Sequence, residues 1–317
     1  MKMKKVFAAV AAAVMALSAT ACASKNEESG ASGAASGSAD GKVYNIGICQ
    51  LVQHEALDAA TKGFKDVLVE KLGEENVKFS EQNANGINTE CATICNTLVS
   101  QNVDLILANA TGALQAASEA TSTIPILGTS VTDYATALGI ADWTGATGFN
   151  VSGTSDLAPI DEQAKMLQEL FPDAKTVGIL YCSAEANSKY QATKFTEALD
   201  GSGMTVKEYS AADTNEISVV TSTAAAECDV IYIPTDNTMA SATETVKNVV
   251  VPAKVPVIAG EEGICKGCGV ATLSISYEEL GRATGEMAYE ILVNGADVST
   301  MQVRFAPNVT KKYNAEV

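Results

Sequence analysis

The chain has 317 residues, of which 47% are hydrophobic, with 21 basic and 38 acidic side chains and a net charge of −17. So acidic a balance offers no basic patch to release counterions from phosphates, which argues against a nucleic-acid partner. The length supports a large core, more naturally two lobes than one.

Lys2, Lys4 and Lys5 precede an apolar run from Val6 to Leu17, and Ser-Ala-Thr-Ala-Cys follows, ending at Cys22. A positive start, a short greasy core and small Ala19 and Ala21 before a cysteine predict a lipoprotein signal peptide over residues 1–21. The core falls well short of the roughly 20 apolar residues a bilayer crossing needs. Cys22 is then the lipidation site, and the Gly- and Ser-rich residues 22–41 form a flexible, lipid-anchored tether. Losing residues 1–21 removes three lysines and no acid, leaving 18 basic and 38 acidic residues, a net charge of −20.

Beyond the tether, strand and helix patterns alternate. Val43–Cys49 is a short apolar run, Leu57–Leu72 has helical spacing, and Val77–Phe79, Asp104–Leu107 and Ile124–Leu127 read as strands. Helices are predicted over Asn88–Ser100 and Gly112–Ala120. After a break near Gly148–Ser155 the pattern restarts, with strands at Thr176–Tyr181, Met204–Tyr209, Asp229–Ile233, Val255–Ala259 and Val270–Ser274. Helices fall at Ile160–Leu170, Ala186–Leu199, Ile217–Ala226, Thr238–Val250 and Tyr277–Val293, with Asn294-Gly295 as a stop. Apolar strands between helices signify parallel sheets covered on both faces. The reading is an α/β protein of two doubly wound lobes joined by a hinge: residues 42–154 with 276–317, and residues 155–275.

Eight cysteines in an exported chain ordinarily suggest disulfides. Lipidation of Cys22 leaves seven, so not all can pair within the chain. Cys49, Cys91, Cys95, Cys182 and Cys228 lie on apolar runs and read as buried thiols. Cys265 and Cys268, in the Gly-rich GICKGCG turn, read as a local disulfide or free thiols. One histidine and one CxxC pair are too few for a zinc site.

Open α/β sheets bind ligands at the carboxyl ends of their strands. Residues expected there include Gln53, His54, Thr111, Thr129, Ser183, Glu185, Asn187, Tyr232, Asp236, Asn237 and Glu261, with Asp156 at the crossing between lobes. Some are simply helix N-caps. As a set of amides, hydroxyls and carboxylates they suit an amino-acid-like solute. Helix N-termini with Thr111, Thr129 or Ser183 would hold its carboxylate, and Asp156, Asp236 or Glu185 its ammonium group. Tyr134, Trp143, Tyr181 and Tyr232 are the aromatic side chains available to flank a ring. No GxSxG elbow, metal-ligand cluster or phosphate-cradling loop is present in the sequence, and no catalytic or metal-binding residue is assigned.

His54-Glu55-Ala56-Leu57-Asp58, NANG at Asn83–Gly86, SDLAPI at Ser155–Ile160, SAEANS at Ser183–Ser188, PTDNT at Pro234–Thr238 and YEELGRATGEMA at Tyr277–Ala288 together carry a family likeness. The chain resembles the substrate-binding lipoproteins of ABC importers for tryptophan and tyrosine, over nearly its whole mature body. The resemblance implies a type I periplasmic-binding fold, lobes that close on an aromatic amino acid or similar solute, an ABC permease as partner, no cofactor and a monomer. It departs from the family at Glu55, where proline is usual, and at the two cysteines within Ala259–Gly269. A sensor feeding a membrane receptor could use the same body. A secreted hydrolase is the enzyme-class alternative.

Overall fold

The computed structural model describes residues 42–306 and 308–316; the signal, tether and Cys22 lie outside them. The first series runs β1 (Tyr44–Gln50), α1 (Glu55–Leu72), β2 (Val77–Asn83), α2 (Asn88–Ser100), β3 (Leu105–Asn109), α3 (Thr111–Ala120), β4 (Ile126–Val131), α4 (Tyr134–Leu138) and β5 (Val151–Ser155). The second begins with α5 (Ile160–Leu170), β6 (Thr176–Cys182), α6 (Ala186–Ala198), β7 (Thr205–Ala211), α7 (Ile217–Glu227) and β8 (Val230–Ile233). It continues through α8 (Asn237–Ser241), α9 (Thr243–Ala253), β9 (Val257–Ala259), α10 (Glu262–Cys268) and β10 (Ala271–Ile275), and the chain ends with α11 (Tyr277–Leu292), β11 (Arg304–Phe305) and β12 (Val309–Tyr313).

Two six-stranded sheets result, ordered β11-β5-β4-β3-β1-β2 and β12-β10-β9-β8-β6-β7. Within each, the first five strands have the doubly wound order 2-1-3-4-5, whose switch point lies between the first and third strands. All pairings are parallel except β12 with β10. Alternation along β1 shows why these runs read as continuously apolar. Ile46 and Ile48 pack with Phe64, Leu68 and Met287 on one face, while Cys49 packs with Cys91, Cys95 and Leu98 on the other. The second sheet is covered likewise, by Leu167 and Phe195 on one face and by Ile217, Val246 and Ile264 on the other.

After β10 the chain returns to the first lobe as α11, which lies against α1. A methyl group on Gly281 would sit 1.9 Å from the Ala60 carbonyl oxygen, so only glycine admits this approach.

Four features depart from the sequence expectation. β5 occupies the predicted break, because Thr154 finds hydroxyl partners beneath the sheet, Thr284 at 2.8 Å and Thr129 at 3.3 Å. The helix expected over Thr238–Val250 is two, α8 and α9, parted at Ala242 with φ −129°. The GICKGCG turn is mostly helical, as α10, with both thiols free and buried. Finally, residues 276–317 do not all belong to the first lobe: β12 pairs antiparallel with β10, so the chain enters the second sheet once more.

Candidate solute-binding cleft

The carboxyl edges of the two sheets face each other across a seam that side chains bridge. His54 Nε2 lies 3.2 Å from Asn237 Oδ1, Glu55 pairs with Lys266, and Gln191 Nε2 stands 3.5 Å from Thr132 Oγ1. A cavity of about 320 Å³ opens between Leu51, Val52, Ile87 and Asn88 on one side and Glu185, Asn237 and Thr238 on the other. That is near the lower bound of the ~300–1,000 Å³ typical of small-molecule sites. A second, of about 440 Å³, is lined by Gln53, His54 and Glu55 facing α8 to α10.

On the first lobe, Gln50 at the end of β1 organises the loop that carries Gln53 and His54. Its amide donates to Val52 O at 3.0 Å and Asp58 Oδ1 at 2.7 Å, and its carbonyl accepts from Thr61 Oγ1 at 2.7 Å. Asn109, at the end of β3, donates to Leu57 O and Thr61 Oγ1. Thr111 opens α3 directly after Ala110, whose φ of 92° is a strained conformation for a residue with a Cβ. Thr129 is buried, and its hydroxyl accepts from Thr154, whose own hydroxyl also meets Thr284 of α11. The next residue, Ser130, has φ 55° and a buried hydroxyl without a hydrogen-bond partner.

On the second lobe three predicted acids serve helix starts. Asp236 accepts from Met239 N at 2.8 Å, capping α8, and also from Cys182 N and Ser188 Oγ. Glu185 accepts from the amides of Asn237 and Thr238, from both their side chains and from Asn187. Glu261 caps α10 through Gly263 and Ile264. Ser183 is turned onto the Ala211 carbonyl at 3.3 Å. Tyr232 is corrected to a core residue: its ring stacks on Phe195 with centroids 3.6 Å apart, and its hydroxyl donates to Gln163 at 2.7 Å. Tyr134 and Trp143 pack together in the first lobe, and Tyr181 donates to Glu208. The structure therefore spends all four aromatic candidates on packing.

Asp156 is placed differently from the other acids. It lies just after β5, where the chain crosses between lobes, and is 3% exposed. Thr132 Oγ1 donates to its Oδ1 and Tyr277 Oη to its Oδ2, both at 3.0 Å. Tyr277 begins the return crossing, and Gln191 and Thr235 continue the cluster into the second lobe, with Thr235 N donating to Gln191 Oε1 at 3.1 Å. Thr132 and Thr235 follow strands in the sequence but are not among the expected site residues, and neither are Gln191 and Tyr277. Gln191 had a legible signal, since it sits on the buried face of α6 with Asn187, Ser188 and Phe195.

The starts of α1, α2 and α3, preceded by His54, Ile87 and Ala110, receive no side-chain cap, so their free N–H groups remain available to an anion. In the second lobe α8 and α10 are capped by the chain's own carboxylates. Burial raises Asp156 to about 6 and Glu261 to about 7; burial and the charge of Glu185 both raise Asp236. Burial lowers His54, against its bond to Asn237. Among the described residues, no cluster of three or more His, Cys, Asp or Glu is arranged to hold a metal, and no helix is long and apolar enough to cross a membrane.

Residues 45–315 match the family model described as ABC transporter substrate binding protein. The chain is 37% identical over 293 residues to the tyrosine-binding protein of Clostridioides difficile (strain R20291), covering 92% of this chain and 85% of that protein. The structure of the ABC domain in complex with L-Trp from Streptococcus pneumonia is 32% identical and superposes with a TM-score of 0.83, covering 87% of this chain and 93% of that one. A ligand-free, open substrate binding protein with adhesive properties from Clostridium difficile is more identical, 38%, yet superposes less well, with a TM-score of 0.66 over 86% of this chain and 93% of that one. Two doubly wound lobes with a cleft at their facing strand ends form a type I periplasmic-binding fold, a solute-capturing architecture whose family works outside the cytoplasm, and this chain belongs to the ABC transporter substrate-binding protein family.

Proposed function

We propose that the solute is an α-amino acid, with an aromatic side chain as in the relatives named above, captured by closure of the lobes. The observation that carries this is Asp156, a buried carboxylate that, among the described residues, accepts from the hydroxyls of Thr132 and Tyr277 and is paired with no cation. An ammonium group supplies the missing charge, and a charged hydrogen bond of this kind contributes roughly 1.5–3 kcal/mol. The ligand carboxylate takes the uncapped start of α3, where Thr111 and Gly112 present their N–H groups next to Ser130. The side chain extends toward Leu51, Val52 and Ile87 in the cavity of about 320 Å³. Asp236, Glu185 and Glu261 shape this wall by fixing α8 and α10. The closer superposition on the L-Trp complex than on the open relative supports a closed arrangement of the lobes.

The mature protein acts as a monomer that delivers its solute to an ABC permease, tethered near it through lipid on Cys22. No chemistry on the solute is involved. The test is a thermal-shift screen against amino acids, sugars and polyamines, since a ligand that binds the folded state raises apparent stability by mass action. Stabilisation by aromatic amino acids supports the reading; stabilisation by sugars or polyamines alone contradicts it. For the anchor, the exported protein should carry acyl mass that Cys22→Ser abolishes.

A further inference from the structure

We propose that Glu55 and Lys266 form an ionic clasp that holds the lobes closed over the solute, and that the Cys265-Lys266-Gly267-Cys268 motif is the rigid mount for its lysine. Lys266 Nζ lies 2.9 Å and 3.1 Å from the two carboxylate oxygens of Glu55, the first residue of α1, which belongs to the opposite lobe. The pair stands at the rim of the cavity of about 440 Å³. It therefore forms only when the cleft is shut, a dependence that rests on the closure reading above.

The mount explains a motif that solute capture alone leaves without a role. Ile264, Cys265 and Cys268 are buried in the second-lobe core, pinning one side of α10. A methyl group on Gly267 would lie 2.4 Å from Thr243, so glycine lets α10 press onto the start of α9. Asn314 closes the other end, donating to the carbonyls of Cys265 and Lys266 at 3.1 and 3.0 Å. Lys266 is the residue of the motif left facing out.

A disulfide-exchange role fits poorly here. Burial pushes the Cys265 thiol up to about 11 and Cys268 to about 12, away from the thiolate form that exchange requires. The neighbouring charges favour the clasp. Glu262 is paired with Lys312, which leaves Lys266 to Glu55, and among the described residues Glu244 and Lys247 line the same cavity without pairing with either. Both partners are exposed, so the contact is a modest bias sensitive to salt, not a lock.

The experiment measures the distance between nitroxide labels at Thr93→Cys in α2 and Ser222→Cys in α7, in the full chain carrying Cys22→Ser and no ligand; the native thiols of the folded body are buried. At low salt, Glu55→Lys and Lys266→Glu should each raise the open-to-closed ratio about two- to five-fold, the size expected of an exposed pair. The double exchange Glu55→Lys/Lys266→Glu should restore it, and ~1 M salt should erase the differences. Unchanged distances in both single variants, or no restoration in the exchange, overturn the clasp. L-tyrosine and L-tryptophan form a separate arm. If neither shifts the unaltered protein, the amino-acid assignment fails, while the clasp is still read from the unliganded variants.

Discussion

The Tyr277 hydroxyl donates to Asp156 Oδ2 at 3.0 Å and joins the two segments on which the lobes turn, one entering the second lobe and one leaving it. The carboxylate this bond holds is the one we assign to the ligand ammonium.

Asp156→Asn should therefore weaken amino-acid binding by about 10- to 150-fold, the equivalent of roughly 1.5–3 kcal/mol for a charged hydrogen bond. Tyr277→Phe keeps the carboxylate's charge and removes one of its two hydroxyl donors, so it should cost less, about five-fold. Calorimetric Kd values on folded variants check both. Equal, small losses would mean that Asp156 carries no ligand charge.

Asp236 and Glu185 should behave as structural acids. Asp236→Ala removes a helix cap with two further donors and should cost on the order of 2 kcal/mol of stability, at the upper end for cap losses. Glu185→Ala leaves the amides of Asn237 and Thr238 without their acceptor and should cost at least as much. Denaturant unfolding measures these losses. Ligand affinity lost without any loss of stability would return both residues to the binding site.

The pH dependence has a defined sign. Asp156 and Glu261, raised to about 6 and about 7 in the folded protein, contribute stability that is complete below their unfolded values near 4 and is lost as pH rises through 6 to 7. His54 is lowered by burial, so its contribution is present above about 6.5 and is lost as pH falls. The Tm of unliganded protein should fall between pH 5 and pH 8, and Asp156→Asn should flatten the portion near pH 6. His54→Gln should steepen the overall decline by removing the opposing group. A Tm that rises across this range would contradict the assignment.

The thiols give an independent check on the fold. Cys49, Cys91, Cys95, Cys182, Cys228, Cys265 and Cys268 are free and buried. A charged thiol reagent should leave all seven untouched in the native body and modify all seven once it is unfolded. Rapid native labelling of Cys265 or Cys268 would show that α10 opens readily.

Much of the fold was legible because the parallel strands are covered on both faces and must be apolar throughout, as in Leu105–Leu107 and Val230–Ile233. β5 escaped because its sequence, Val-Ser-Gly-Thr-Ser, is polar; the Thr129, Thr154 and Thr284 hydroxyls satisfy one another beneath the sheet. β12 escaped because it is an edge strand with two lysines in five residues, whose place is fixed by the partner it meets. At the site, residue types pointed to the sheet edges that face each other but not to roles. An Asp before a helix reads alike whether it caps that helix or waits for a ligand. Only the count of donors around Asp236, against the two hydroxyls on Asp156, separates them. The aromatic residues show the same limit, since Tyr232 at a strand end points to Phe195 and not to the cleft.

We assign to this cleft an α-amino acid held through its ammonium group. The direct test is calorimetric titration of the protein and its Asp156→Asn variant with L-tyrosine, L-tryptophan and their counterparts lacking the amino group. At least one amino acid should bind, removing its ammonium group should cost 10-fold or more, and that analogue should lose little further affinity on Asp156→Asn. Equal affinity for the amino acid and its deaminated analogue would contradict it.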